Sequence, residues 1–361
     1  MATMKAAVYY GKGDIRIQEV PVPEPTGDQV QIKVEWCGIC GTDIHEYHDG
    51  PVLVPNVDKP HPITKATLPL TLGHEFSGTI TKIGPDVDKE KYKVGMRVCA
   101  EPIITCGECK MCKEGFENCC PKLGWIGLAD HTGGFAEYAL ARQFRAHPIP
   151  DSISFEIGAL MEPLSVAWHA VRVSNIKMGQ TALVLGGGPI GIMVLRVLLA
   201  IGARAVYLSE VSGSRKALAT KSGAKAVFDP RECDVVEECK KASVHGLGVD
   251  VAFDCAGVQA SITTAINAVR PRGTIMNVAI WEKPIQISLN DMALGEKWLS
   301  GCICFADDFP AVIAAVADGR LSTDGLISGH IEIDDLVEKG FNAILNEKDK
   351  HVKIIARPIK K

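Results

Sequence analysis

The chain has 361 residues, more than one hydrophobic core usually spans, so two domains are the expectation. Apolar residues make up 47% and charged residues 23%, the balance of an ordinary globular protein, and a net charge of -4 supplies no general attraction to nucleic acid or an anionic membrane. Small molecules are the expected partners.

The first residues lack the apolar core and small-residue cleavage site of a secretory signal. The longest apolar run, 190–203, contains Arg196 and is too short to cross a bilayer. A cytoplasmic location follows as an expectation. In that reducing compartment the thirteen cysteines are not expected to form structural disulfides, so clustered ones become metal candidates and scattered ones core residues.

Residues 4–36 alternate apolar and polar in short runs broken by Pro21, Pro23 and Pro25, which predicts short antiparallel strands. Next comes Cys37-Gly38-Ile39-Cys40-Gly41-Thr42-Asp43-Ile44-His45, where two thiols at Cys-x-x-Cys spacing suggest a redox pair or half of a metal site. His45 keeps both readings open. Residues 40–48 read as a turn into a short helix with Thr42 and Asp43 as caps. The proline-rich segment 50–70 reads as an irregular loop, ending at Gly73-His74-Glu75 ahead of a strand over 79–83. By residue type alone, His74 and Glu75 are a polar strand entrance. Their nearness in sequence to Cys40 and to the next motif makes a metal site the alternative.

That motif is Cys106-Gly107-Glu108-Cys109-Lys110-Met111-Cys112, followed by Cys119-Cys120. Four thiolates on one lobe, about residues 100–125, suit a closed tetrahedral zinc site, with an iron–sulfur cluster as the main competitor. Cys119 and Cys120 both stand as the last ligand, and the spacing of seven residues after Cys112 favours Cys120. A metal closed by four thiolates cannot bind substrate, so its work is structural. A catalytic metal would need ligands elsewhere, and Cys40, His74 and an acidic residue could supply them.

Strand-like alternation returns over 131–147, and helical spacing begins at 155 and runs to 173. Within it, Met161-Glu162-Pro163-Leu164 sets a carboxylate among apolar residues, either buried with a partner or exposed at a helix end. An apolar strand over 181–185 then enters Gly186-Gly187-Gly188-Pro189-Ile190-Gly191 and a helix over 190–203. These residues form a turn that admits a pyrophosphate at the helix N-terminus. A second strand ends at Glu210, at the distance expected for an acid that accepts hydrogen bonds from the adenosine ribose. Its charge would repel a 2′-phosphate, which favours NAD over NADP. Arg215 lies along the adenine face or is a surface arginine. Helices over 214–222, 234–242 and 259–269 alternate with strands over 226–228, 249–253 and 273–278, a rhythm that predicts a doubly wound parallel sheet. The tail adds helices over 310–317 and 335–345 and a strand over 351–355.

Together these motifs, in this order, resemble the zinc-dependent medium-chain alcohol and polyol dehydrogenase family over nearly the whole chain. The resemblance implies two zinc ions per chain, one catalytic on Cys40, His74 and Glu162 and one structural on Cys106, Cys109, Cys112 and Cys120, together with NAD. The alcohol dehydrogenases proper carry cysteine where this chain has Glu162. The branches acting on sorbitol and butanediol carry glutamate, and there Glu75 enters and leaves the zinc shell or tunes it from outside. A proton path through Thr42, the nicotinamide ribose and His45 is implied, with Cys37 a neighbour that binds no metal. The proline-rich loop is similar to that of the 2,3-butanediol branch. The implied reaction is oxidation of one secondary alcohol of a vicinal diol, 2,3-butanediol to acetoin, and the reverse reduction of acetoin or diacetyl, of the (R,R) type.

The implied fold is α/β: a GroES-like β-rich catalytic domain over 1–155 and 301–361, and a Rossmann NAD-binding domain over 156–300, with substrate in the cleft and a homodimer or homotetramer as the assembly. Three other readings compete. A zinc-ribbon nucleic-acid module is disfavoured by the acidic balance. A non-catalytic relative would be expected to lack the set Cys40, His74 and Glu162. A threonine or other polyol dehydrogenase is the nearest enzymatic rival.

Overall fold

The structure, a computed structural model, describes residues 2–281, 283–347 and 349–359. The chain divides into two compact units. The first runs to Glu162 and adds Phe309–Ala317 and the segment from Leu326 onward, while the second holds Pro163–Asp308 and Asp318–Gly325. Compared with the expected bounds, residues 156–162 fall with the first unit, and 301–308 and 318–325 with the second. The first shift arises because the helix after Ser154 packs on strands of the first unit.

In the first unit, β1 (Thr3–Gly11) pairs antiparallel with β2 (Asp14–Pro21). β3 (Gln29–Gly38) leads through Ile39 and Cys40 into α1 (Gly41–Asp49). The expected caps of α1 are revised. Cys40 takes the cap position, and Asp43, three residues further in, accepts the Cys40 N–H at 3.0 Å. β4 (Leu70–Thr71) joins the edge of β1, and β5 (Glu75–Ile83) pairs antiparallel with β3 so that Glu75 lies opposite Gly38. β6 (Arg97–Ala100) continues the sheet; β7 (Ile103–Ile104), α2 (Lys110–Lys113) and β8 (Gly124–Trp125) frame the cysteine lobe. β9 (Tyr138–Arg142) pairs with β3, and β10 (Ala146–Pro148) with β6. Tyr9, Ile32, Phe76 and Phe135 are fully buried in the core these sheets enclose.

The single helical stretch expected over 155–173 is two helices, α3 (Phe155–Ala159) and α4 (Met161–Val173). Ser154 caps the first through the Ile157 N–H. Pro163 is the third residue of the second, where no intrahelical N–H is needed, so the proline costs α4 nothing.

The second unit is a six-stranded parallel sheet in the order β13-β12-β11-β14-β15-β16. The strands are β11 (Thr181–Leu185), β12 (Ala205–Ser209), β13 (Ala226–Phe228), β14 (Val249–Asp254), β15 (Val269–Asn277) and β16 (Trp298–Gly301). Helices α5 (Pro189–Ala200), α6 (Gly213–Lys221), α7 (Val235–Ala242), α8 (Gln259–Ala268) and α9 (Leu289–Ala293) alternate with them. The strand order reverses beside β11, which puts the ligand crevice of a doubly wound sheet at the carboxyl end of that strand. Leu183, Ala252, Ile262 and Ile275 form its core. The edge strand β16, exposed along its length, had no alternating pattern to announce it.

The tail returns to the first unit with α10 (Phe309–Ala317) and again from Leu326. β17 (Ile327–Glu332) pairs parallel with β18 (Lys353–Arg357), and β18 pairs antiparallel with β3, Ala356 opposite Cys37. The helix expected over 335–345 is not continuous: a π-helical turn over Leu336–Phe341 precedes α11 (Asn342–Asn346). Gly340 sits in that turn, where a Cβ would meet Ile39 Cδ1 at 2.7 Å, so close packing against the segment before α1 governs the local geometry. The C-terminal half of β3 therefore lies between β5 and β18, which brings Glu75 and Lys353 to one place. Among the described residues, no helix is long and apolar enough to cross a membrane.

Candidate functional site

The turn from β3 into α1, the entry to β5 and the first residue of β18 converge on one buried cluster. Cys40, His74 and Glu75 present ligand atoms that all lie within 4.8 Å of one another. Glu162, in the first turn of α4, is also buried, close enough to His74, Glu75, Lys353 and Asp43 for each to act on its charge. Burial, reinforced by the Glu75 and Asp43 carboxylates, pushes the Glu162 carboxyl up to about 8 against the pull of His74 and Lys353.

Asp43 orients the histidine. Its Oδ1 lies 3.4 Å from His74 Nδ1, and both atoms are buried with no hydrogen-bond partner among the described residues. With Nδ1 turned to the carboxylate, Nε2 is left for the cluster, the arrangement in which a carboxylate fixes the tautomer of a metal-binding imidazole. Burial alone would push His74 down, but Asp43 and Cys40 outweigh it and hold the imidazolium well above its ordinary value. A thiol, an imidazole and carboxylates so arranged, with an orphaned carboxylate–imidazole pair behind them, fit a zinc ion. Lys353 donates to both Glu75 oxygens, at 2.7 and 2.8 Å, and to the Ile39 carbonyl at 3.0 Å.

Thr42 is half-buried with its hydroxyl 3.7 Å from Cys40 Sγ, and His45 is exposed one turn along the same face of α1. The Cys-x-x-Cys pair separates here. Cys37 is fully buried on β3, its thiol pushed well up by burial, and a Cβ at Gly73 or Gly134 would touch its sulfur. Cys40 alone faces the cluster.

In the lobe, Cys106, Cys109, Cys112 and Cys120 come together, and Cys119 is exposed. Sulfur–sulfur distances are 3.4 Å for Cys109–Cys112, 3.6 Å for Cys106–Cys120 and 3.9 Å for Cys106–Cys112. A tetrahedron with zinc–sulfur bonds of about 2.3 Å has edges of about 3.8 Å, so the four fit that ion. Backbone N–H groups from Cys109, Cys112 and Lys122 donate to sulfurs of the set. Those of Glu108 and Cys109 pull the Cys106 thiol down, which favours the thiolate a metal requires.

At the carboxyl end of β11, Gly186 has φ +96°, a left-handed conformation that suits glycine. Gly188 precedes α5, Pro189 and Ile190 are its first two residues, and at Gly191 a Cβ would stand 1.9 Å from the Gly186 carbonyl oxygen. Gly191→Ala is therefore expected to cost about 1–3 kcal/mol by forcing α5 off the strand, measured as a lower thermal midpoint together with weaker NADH binding. Glu210 is buried and accepts N–H bonds from Gly187 at 2.7 Å, Val211 at 2.6 Å and Ser212 at 2.9 Å, with Arg215 3.9 Å away. It lines a cavity of about 330 Å³ with Gly186, Gly188 and Arg215. At the end of β14, Asp254 accepts the N–H groups of Ala256 and Gly257, and Ala256 lines the same cavity.

Metal donors and a dinucleotide crevice carried on one chain define a metal-dependent nicotinamide oxidoreductase. Comparison narrows the class. The alcohol dehydrogenase GroES-like domain model matches residues 26–151, and the zinc-binding dehydrogenase model matches 189–318. The chain belongs to the zinc-dependent medium-chain alcohol dehydrogenase family, whose cofactors are zinc and a nicotinamide dinucleotide. It is 44% identical to (R,R)-butanediol dehydrogenase of Bacillus subtilis (strain 168), with 98% of this chain and 100% of that protein covered. The crystal structure of 2R,3R-butanediol dehydrogenase from Bacillus subtilis superposes with a TM-score of 0.92 at 42% identity, covering 99% of this chain and 100% of that one. A zinc-binding dehydrogenase from Sinorhizobium meliloti 1021, solved with NADP, superposes with a TM-score of 0.89 at 33% identity, covering 99% and 100%.

Lys353 and Asp43 are the residues of the centre whose part the sequence did not reveal. Lys353 lies 278 positions from Glu75, and nothing local distinguishes a lysine at the head of an apolar strand. Asp43 reads locally as a helix cap, and its reach to His74 depends on the pairing of β3 with β5.

Proposed function

We propose that the chain oxidises one secondary alcohol of (2R,3R)-butanediol to give acetoin, with NAD as acceptor, and runs the reverse reduction of acetoin or diacetyl. What supports it is the cluster Cys40, His74 and Glu75, with the buried Glu162 outside that set but near enough to feel its charges and Lys353 paired to Glu75, in a chain 44% identical over 98% of its length to a butanediol dehydrogenase. Cys40, His74 and Glu162 hold the catalytic zinc, and Cys106, Cys109, Cys112 and Cys120 a structural one. Zinc supplies Lewis acidity that favours deprotonation of a hydroxyl near neutral pH, and the nicotinamide takes up the hydride.

The chain's own residues do the rest. Asp43 keeps His74 Nε2 aimed at the donor cluster. The Thr42 hydroxyl, beside Cys40 Sγ, would take the substrate proton, and the exposed His45 would release it to water, with a bound dinucleotide supplying a ribose hydroxyl for the relay. The glycine turn Gly186 to Gly191 and the N-terminus of α5 bind the pyrophosphate. Glu210, fixed by three backbone N–H groups, binds the ribose hydroxyls and disfavours a 2′-phosphate, and Arg215 covers the adenine. Glu75 acts from beside the donors. The protein is further proposed to work in the cytoplasm as a homodimer or homotetramer.

The test is a panel of 2,3-butanediol isomers, sorbitol and threonine, each with NAD and with NADP. The (R,R) isomer with NAD is expected to give the highest kcat/KM; a larger value for sorbitol or threonine would move the assignment to that branch. Glu210→Ala is expected to raise the KM for NAD by about tenfold, a loss of roughly 1.4 kcal/mol, while narrowing the preference over NADP.

A further inference from the structure

The metal centre carries more donors than a working site can use. Ligand atoms of Cys40, His74 and Glu75 lie within 4.8 Å of one another, and the buried Glu162 carboxyl, outside that set, is near enough to feel the charges of His74 and Glu75 and stands as a fourth candidate donor. A zinc ion taking all four would complete a tetrahedron and leave no position for a substrate oxygen. One donor has to be held off.

Lys353 is placed to hold Glu75. Its ammonium, only 3% exposed, has three hydrogens and three acceptors: both oxygens of Glu75, at 2.7 and 2.8 Å, and the Ile39 carbonyl at 3.0 Å. Each Glu75 oxygen then has one lone pair left, and the ammonium charge beside it opposes the approach of a second cation. Gly38 makes room for the pairing, since a Cβ there would stand 2.1 Å from Glu75 Oε2. β3, carrying Gly38, lies between the strands that supply the two partners.

Resting on the zinc reading above, we propose that Lys353 is a positioning residue that keeps Glu75 out of the zinc shell, so that Cys40, His74 and Glu162 bind the metal and a coordination position stays open to substrate. The lysine and zinc then compete for one carboxylate. Removal of Lys353 leaves a buried carboxylate whose nearest remaining cation is the metal, and Glu75 becomes a fourth ligand. The zinc is held more tightly and the open position is lost. A merely structural lysine predicts the opposite sign, because a loosened site releases its metal faster.

The experiment measures zinc release to a chromophoric chelator from the full-length holoprotein, the phase missing from His74→Ala identifying this centre. Lys353→Met is expected to slow that phase on the order of tenfold, the scale on which outer partners tune metal affinity, and to change the visible bands of the cobalt-substituted protein. In a Glu75→Gln background the same substitution is expected to change neither. Glu75→Gln alone, with Lys353 retained, is expected to release zinc at the wild-type rate, which covers the case in which Lys353→Met does not fold. Unchanged or faster release from Lys353→Met, slowing that persists without Glu75, or markedly faster release from Glu75→Gln would each overturn the proposal while leaving the zinc site standing. A wild-type protein whose release matches His74→Ala would overturn the zinc reading itself, and this inference with it.

Discussion

Cys40→Ser is expected to lower kcat/KM for 2,3-butanediol by about three orders of magnitude or more while the far-ultraviolet circular dichroism stays unchanged. The reason is the division of labour at the turn into α1. Cys40 is only half-buried at the helix cap and carries little of the core, whereas Cys37 three residues earlier is fully enclosed. Loss of the thiolate removes the softest donor from the set with His74 and Glu162, and the several kcal/mol of charge stabilisation a bound zinc supplies go with it, at about 1.4 kcal/mol per tenfold in rate. His74→Ala should behave alike. Zinc content on the same samples should fall by one ion per chain, the lobe retaining the other. A Cys40→Ser protein that has lost one zinc per chain and still turns over normally would remove this cluster from the chemistry.

Arg145→Met is expected to destabilise the protein by about 3–5 kcal/mol, the usual cost of breaking a buried ion pair from one side. The Arg145 side chain is 8% exposed and binds the carboxylates of Glu101, itself 3% exposed, and of Glu117. Glu101 also contacts His147 Nε2 at 2.6 Å, and Thr105 donates to Glu117 at 3.2 Å. Thr105 immediately precedes Cys106, and Glu117 opens the short turn that ends before Cys120. One guanidinium thus ties both ends of the cysteine lobe to the sheet that carries β6 and β10. Thermal unfolding would measure the loss, and zinc release from the lobe should quicken in parallel. A shift as small as that of an exposed pair, below about 1 kcal/mol, would show that the lobe does not depend on this tie.

What the sequence revealed depended on distance along the chain. The cysteine lobe and the glycine turn are contiguous, so their chemistry is readable from spacing alone, and the structure brings Cys106, Cys109, Cys112 and Cys120 together. Between Cys119 and Cys120 the seven-residue spacing leans to Cys120, and the structure places Cys120 with the other three while Cys119 is exposed. The parallel sheet announced itself through alternating strands and helices, except at β16, whose four exposed residues carry no apolar pattern. The tail helix was misread as continuous because the apolar spacing over 335–345 continues through the π turn, where contact with Ile39 overrides it.

The metal centre was readable only through resemblance. His74, Glu162 and Lys353 come from three distant segments, and each by itself fits an ordinary role at a strand entrance, a helix end or a strand start. Strand pairing on both sides of β3 makes His74 and Lys353 neighbours, and α3, packed on β3 and β5, leads the chain to Glu162.

The most direct measurement is product identification by gas chromatography after incubating zinc-loaded protein with (2R,3R)-butanediol and NAD. Acetoin is expected, one molecule for each NADH formed, with both absent after the catalytic zinc is stripped by a chelator. No acetoin from any butanediol isomer, in a preparation that oxidises another polyol, would contradict the assignment.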